Sequence, residues 1–182
     1  VKAIFFFLLQ NVITPDKIRG NYATLNQAVK ANNWLTLKQA RGKVVFIING
    51  NYNFYIDQHP SFAGRAMFAY ANPDTPECAF IIANNPIGSQ TEIEQWVADN
   101  YIVRTRTDSD TYEARNGDYS AMNAAFASGA QIISTDYYRP DPRYLTDTAW
   151  TDFTVQFPNN ELARINDISA NRTAYQNCLI EE

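Results

Sequence analysis

Apolar residues come in two rhythms along this chain. Lys43-Val-Val-Phe-Ile-Ile-Asn49 and Cys78-Ala-Phe-Ile-Ile-Ala-Asn84 are continuous apolar runs rich in β-branched and aromatic residues, as expected of strands buried on both faces in a parallel sheet. Tyr101–Thr107 and Gln131–Asp136 read as two further strands. Each strand stops in polar residues: Asn49, Asn84, Arg106 with Asp108, and Asp136. Between them the period lengthens to that of a helix. Ser89-Gln-Thr-Glu92 has capping-box spacing, and Ile93, Trp96 and Val97 then fall on one helical face. Asp118–Ser128 repeats the plan, with Asp118 as cap, Met122, Ala125 and Phe126 inward, and Gly129 at the C-terminus. Earlier helices are predicted over Thr24–Ala31, with Leu25, Ala28 and Val29 inward, and over Leu35–Arg41.

That alternation predicts an α/β fold of parallel βα units with right-handed crossovers. Lys43–Asn49, Ala79–Ala83, Tyr101–Thr107 and Gln131–Thr135 are expected as neighbouring parallel strands in one sheet. Asn49–Glu77 contains Gly50, Pro60, Gly64, Pro73 and Pro76, and is too long for a plain connection. It reads as an excursion over the polar end of the sheet. Thr154–Phe157 is expected as a final short strand.

The 182 residues, 46% hydrophobic and 19% charged, suffice for one sizeable core. A complete eight-stranded α/β barrel takes about 250, so the length points to a smaller domain or part of a barrel. A net charge of −4 argues against nonspecific nucleic-acid binding, which relies on a basic surface. The apolar run Val1–Leu9 falls well short of the roughly 20 residues that span a bilayer, and reads as a buried segment. Cys78 and Cys178 bridge only if the tail returns to the strand at Cys78; two reduced cysteines are the equal alternative.

Arg104 and Arg106 lie two apart on a strand and therefore share a face. Two cations near a strand's end suit an anion such as phosphate, and equally suit pairing with Asp108, Asp110 or Asp136. Asp108-Ser-Asp110 is an oxygen-rich loop of the kind that can hold Ca²⁺, and also of the kind that caps a helix in solvent. Asp136, at the end of Ile132-Ile-Ser-Thr135, suits either an orienting or metal-shell carboxylate or a backbone hydrogen bond. His59, the one histidine, sits in a predicted loop and cannot make a two-histidine acid–base system. No dinucleotide fingerprint, phosphate-binding P-loop or zinc spacing occurs.

Val103-Arg-Thr-Arg-Thr-Asp108 and Gly129-Ala-Gln-Ile-Ile-Ser-Thr-Asp136 resemble the later part of calcium-dependent phosphatidylinositol-specific phospholipase C-like phosphodiesterases. Ile13-Thr-Pro-Asp16 with Arg19-Gly20, Trp34 with Leu37, and Ala40–Phe46 resemble the same family in the same order. The resemblance spans residues 12–160, with residues 1–11 and 161–182 as atypical termini. Trp34-Leu35 and Ile165-Asn166-Asp167 depart from the family's wording.

The resemblance implies the C-terminal half of a TIM-type barrel that cleaves phosphodiesters. It implies a phosphoinositide headgroup as ligand, Ca²⁺ as cofactor, and an extracellular or secreted location. In the family, a half-barrel carrying the catalytic histidines precedes the region matched here, whereas only residues 1–12 precede Ile13. The expectation is therefore a chain with little turnover of its own, completed by a missing N-terminal half-barrel or by a homo-oligomer. Its alternative is a noncatalytic anion-binding or structural module derived from the same barrel. Arg104 and Arg106 would face phosphate, Asp136 would orient, and Asp108 with Asp110 would attend a metal.

Overall fold

The computed structural model describes residues 11–157, 161, 163–166 and 168. Val1–Leu9, Asp167 and Cys178 lie outside them, so the buried segment expected at the start and the cysteine pairing are not addressed.

The chain divides into two compact units, Val1–Ile82 with Asp99–Ile102, and Ala83–Ala98 with Val103–Glu182. Among the described residues, the first opens with three short helices: α1 (Pro15–Arg19), α2 (Leu25–Lys30) and α3 (Leu37–Ala40). Proline at the first position starts α1 because its missing N–H would be unpaired there in any case. The Thr24 side chain accepts from the Gln27 amide at the head of α2, and Leu25, Ala28 and Val29 are fully buried. Thr36 and Gln39 close a reciprocal capping box on α3.

β1 (Ile47–Ile48) pairs in parallel with β2 (Phe68–Ala69), Ile47 opposite Phe68 and Ile48 opposite Ala69. Single parallel bridges join Val12 to Val44 and Tyr70 to Phe80, the latter leading into β3 (Phe80–Ile82). The Phe68 and Phe80 rings meet edge to face at 5.0 Å, and Trp34 meets Phe80 at 5.6 Å. The Trp34 indole also donates to the Asn100 carbonyl at 2.7 Å. Such a contact gives a large ring both an apolar bed and a partner for its N–H.

The second unit holds α5 (Gln90–Ala98), most of β4 (Ile102–Arg106), α6 (Tyr112–Asn116), α7 (Ser120–Ala127) and β5 (Ile132–Ser134). β4 and β5 pair in parallel, Arg104 opposite Ile132 and Arg106 opposite Ser134. Ile93 and Val97 are buried on α5, and Ala125 on α7, as the helical spacing predicts. Asp118 accepts the Ser120 amide at 2.9 Å, but the cap position of α7 is Tyr119, which makes no side-chain capping bond. The core contains Ala114, Tyr137, Trp150, Phe153 and Val155.

The fold is α/β with parallel strands, but they fall in two small sheets, β1-β2 and β3-β4-β5, rather than one. β1 neighbours β2, a strand the sequence reading did not contain. Its two residues lie inside the expected excursion, which also contains α4 (Asn53–Ile56) and a 3₁₀ turn at Pro60–Phe62. Met67-Phe-Ala-Tyr70 is too short, and too near Gly64 and Pro73, to show a strand pattern. Thr154–Phe157 forms no strand. Phe153 and Val155 join the core instead, and the Val155 amide donates to the Tyr137 carbonyl at 2.8 Å.

Candidate functional site at the ends of β4 and β5

Burial alternates along β4, as a strand's period of two requires. Val103, Thr105 and Thr107 are fully buried on one face; Ile102, Arg104 and Arg106 are half-buried on the other. The arginines thus share the more open face. The buried threonines tie the strand laterally: the Thr105 hydroxyl donates to the Ala83 carbonyl at 2.6 Å, and the Thr107 amide to the Ser134 carbonyl at 3.1 Å. A threonine methyl fills the apolar side while its hydroxyl is satisfied, so this face stays dry without an unpaired polar group.

The two guanidinium groups rest on neutral partners. Arg104 donates to the side-chain oxygen of exposed Asn84 at 2.8 Å, and Arg106 to the Ser109 hydroxyl at 2.9 Å. Among the described residues neither arginine is within ion-pair distance of a carboxylate; the pairs present are Arg19–Asp16, Arg143–Asp141 and Arg164–Glu161. The buried Nε of Arg106 has no hydrogen-bond partner. A charge-bearing donor left unused in a buried place is costly. The pairing alternative raised by Asp108, Asp110 and Asp136 is not the arrangement found.

Those carboxylates serve elsewhere. Asp108, 5% exposed, accepts the Thr107 hydroxyl at 2.6 Å and the Asp136 amide at 3.1 Å. Asp110 is exposed at a positive φ of 55°, and its carbonyl accepts the Tyr137 hydroxyl at 2.9 Å. Burial, followed by the nearby Asp108 charge, pushes the Tyr137 phenol above its ordinary value, which keeps it a donor. Asp136 is exposed just past β5, with its backbone held by Asp108. The structure therefore brings Asp108 and Asp136 together through a backbone contact, and ties Asp110 to the following residue, Tyr137. Asn84, Ser109 and Tyr137 escaped the sequence reading as partners. Asn84 stood out only as a strand's last polar residue, and no local pattern marks the others.

His59 lies in the first unit, where its Nδ1 donates to the Ala63 carbonyl at 2.7 Å. Cys78 is fully buried, and that burial pushes its thiol up to about 12, far from a reactive thiolate. A cavity of about 580 Å³ opens beside the start of β5 rather than its end. Phe126, Ile132, Phe157 and Ile168 line it, and none of Arg104, Arg106, Asp108 or Asp136 does. Arg164 also lines it, and that guanidinium is already paired with Glu161 at 2.9 Å.

A family model described as phosphoinositide phospholipase C, Ca²⁺-dependent, matches residues 3–167. Searches of curated proteins and of solved structures found no match. The family's name indicates calcium dependence. Ca²⁺ takes six to eight oxygen ligands, yet among the described residues no three His, Cys, Asp or Glu side chains gather to hold a metal. Asp108 already uses both oxygens within the protein, and Asp110 stands apart in solvent. These residues alone do not fit the ion. No helix among the described residues is long and apolar enough to cross a membrane.

Proposed function

The chain belongs to the Ca²⁺-dependent phosphoinositide phospholipase C family, and from that membership we propose that it is a phosphodiester-binding domain of a phosphoric diester hydrolase. Arg104 and Arg106 would receive the phosphate of a phosphoinositide headgroup at the end of β4. The observation that carries this reading is the pair of guanidinium groups on one open strand face, held among the described residues by neutral partners. A guanidinium held by an amide or hydroxyl is oriented while its charge stays unspent, whereas a carboxylate would have cancelled it. Asp136, exposed beyond β5, would accept from a hydroxyl of the same ligand.

The proposed frame is a segment of a TIM-type barrel. Two observations support it: the parallel pairs and bridges run in chain order from Val12 through β1, β2 and β3, and β4 again pairs with the next strand, β5. Barrel chemistry sits at the C-terminal ends of strands, where Arg106 and Asp136 lie.

Cleaving a phosphodiester calls for a base to take a proton and an acid to return one, each commonly worth roughly 10²- to 10⁴-fold. The unit that holds Arg104 and Arg106 contains no histidine, and His59 spends its Nδ1 on Ala63. The proposal is therefore binding without efficient turnover by this chain alone.

The test is calorimetric titration of the 182-residue chain with myo-inositol 1-phosphate, alongside a phosphatidylinositol turnover assay with Ca²⁺. Saturable binding that weakens in Arg104→Lys, with negligible turnover, is the expected result. Robust turnover that disappears in His59→Ala would overturn the binding-only reading, and no binding would overturn the site.

A further inference from the structure

The tightest polar knot at these strand ends is built on Asp108, and it does not use the arginines. A carboxylate only 5% exposed costs free energy unless its oxygens accept hydrogen bonds. Both do: Oδ2 takes the Thr107 hydroxyl at 2.6 Å and Oδ1 takes the Asp136 amide at 3.1 Å. Thr107 is its chain neighbour, but Asp136 arrives from beyond β5, so this carboxylate ties the ends of two adjacent strands. The Thr107 amide on the Ser134 carbonyl at 3.1 Å and the Tyr137 hydroxyl on the Asp110 carbonyl at 2.9 Å strengthen the same junction. Little Asp108 surface is left to meet a hydrated cation.

We infer that Asp108 is a positioning residue, not a cation ligand: its carboxylate locks the backbone at Asp136 and so sets where the Asp136 side chain stands beside the anion. The proposal deepens the binding reading and rests on it for the ligand. The hydrogen bond to the Asp136 amide stands without that reading.

Two chemistries separate the alternatives. A positioning carboxylate is partly replaced by asparagine, whose carbonyl still accepts the Asp136 amide, while alanine leaves that amide unpaired. A calcium ligand loses its charge in both variants alike. The experiment follows the ¹H–¹⁵N resonance of Asp136 in the full chain, with myo-inositol 1-phosphate as the probe and CaCl₂ titrated separately. Expected are an unmoved Asp136 resonance when CaCl₂ is added to the wild type, a displaced one in Asp108→Asn, and graded affinity. Binding should weaken by about tenfold in Asp108→Ala, equivalent to one hydrogen bond to a charged group, and by less in Asp108→Asn.

A saturable Ca²⁺ shift at Asp108 and Asp136 that is lost in Asp108→Asn would overturn the inference. Should Asp108→Ala fail to fold, the calcium titration of the wild type decides alone. No binding of the probe by the wild type, with an Asp136 resonance still displaced in Asp108→Asn, supports the lock and overturns the anion reading instead.

Discussion

The segment after β1 and the segment after β4 both leave a strand's C-terminal end, and they treat their polar groups in opposite ways. After β1, Gln58, Ser61 and Phe62 hold positive φ values of 55° to 59°, a conformation that costs non-glycine residues of order 1–3 kcal/mol. The donors there are largely met from within: the Ser61 amide by buried Glu77 at 3.0 Å, the Gly64 amide by Asp16 at 2.8 Å, the His59 ring by Ala63. Arg19 is neutralised by Asp16 at 2.6 Å, although its Nε lacks a partner. After β4, strain is confined to Asp110, and two guanidinium groups keep their charge. A strand end that consumes its own polar groups is architecture. One that holds cations on neutral supports matches the proposed anion site.

The largest expected effect sharpens the architectural half. Phe62 is fully buried between the Tyr52 and Tyr55 rings, with centroids 5.7 and 6.0 Å away. Phe62→Ala should cost about 3–5 kcal/mol, read as a lower urea midpoint, while inositol phosphate affinity of the folded protein is unchanged. Loss of affinity at full folding would break the division between the two segments.

Arg104→Met tests the other half and should have the reverse signature. Removing one charge-assisted contact to the ligand costs about 1.5–3 kcal/mol, roughly a tenfold to hundredfold weaker Kd. Stability should hardly change, because among the described residues the Arg104 side chain is held by an exposed asparagine. Thermal unfolding and calorimetry on the same sample separate these outcomes.

Glu77→Ala, back in the first segment, strips the Ser61 amide of its acceptor. A loss of about 1–3 kcal/mol is expected, visible as faster hydrogen exchange at Ser61. Protection that stays the same would mean the strained turn is held by Phe62 alone.

The smallest effect concerns Tyr137. Its folded value lies above that of an unfolded tyrosine, so its contribution is fully present below about pH 10 and is lost as pH rises through the raised value. Ultraviolet titration should find Tyr52, Tyr101 and Tyr137 ionising later than the rest, and Tyr137→Phe should remove one tyrosine from that late phase at a cost of about 0.5–1.5 kcal/mol.

Legibility in the sequence followed how local each signal is. The inward faces of α2 and α5 were readable because each depends on residues three or four apart. The alternation along β4 was readable for the same reason, and it put Arg104 and Arg106 on one face. β2 was not, since a two-residue strand between glycine and proline carries no period. The partners of the site were hidden too. Asn84 lies twenty residues from Arg104 in the chain, and Asp108 and Asp136 lie twenty-eight apart. Spacing alone allowed Asp108, Asp110 and Asp136 to neutralise the arginines; the fold sets Asp108 on a backbone amide and leaves Asp110 and Asp136 in solvent.

The central claim is that β4 presents an anion site through Arg104 and Arg106, and ligand-induced shifts in the ¹H–¹⁵N spectrum test it most directly. Titration with myo-inositol 1-phosphate should move the resonances of Asn84, Arg104, Arg106 and Ser109 together along one saturation curve, with His59 and Gly64 unmoved. Saturable shifts gathered at His59 and Gly64, or none at Arg104 and Arg106, would contradict it.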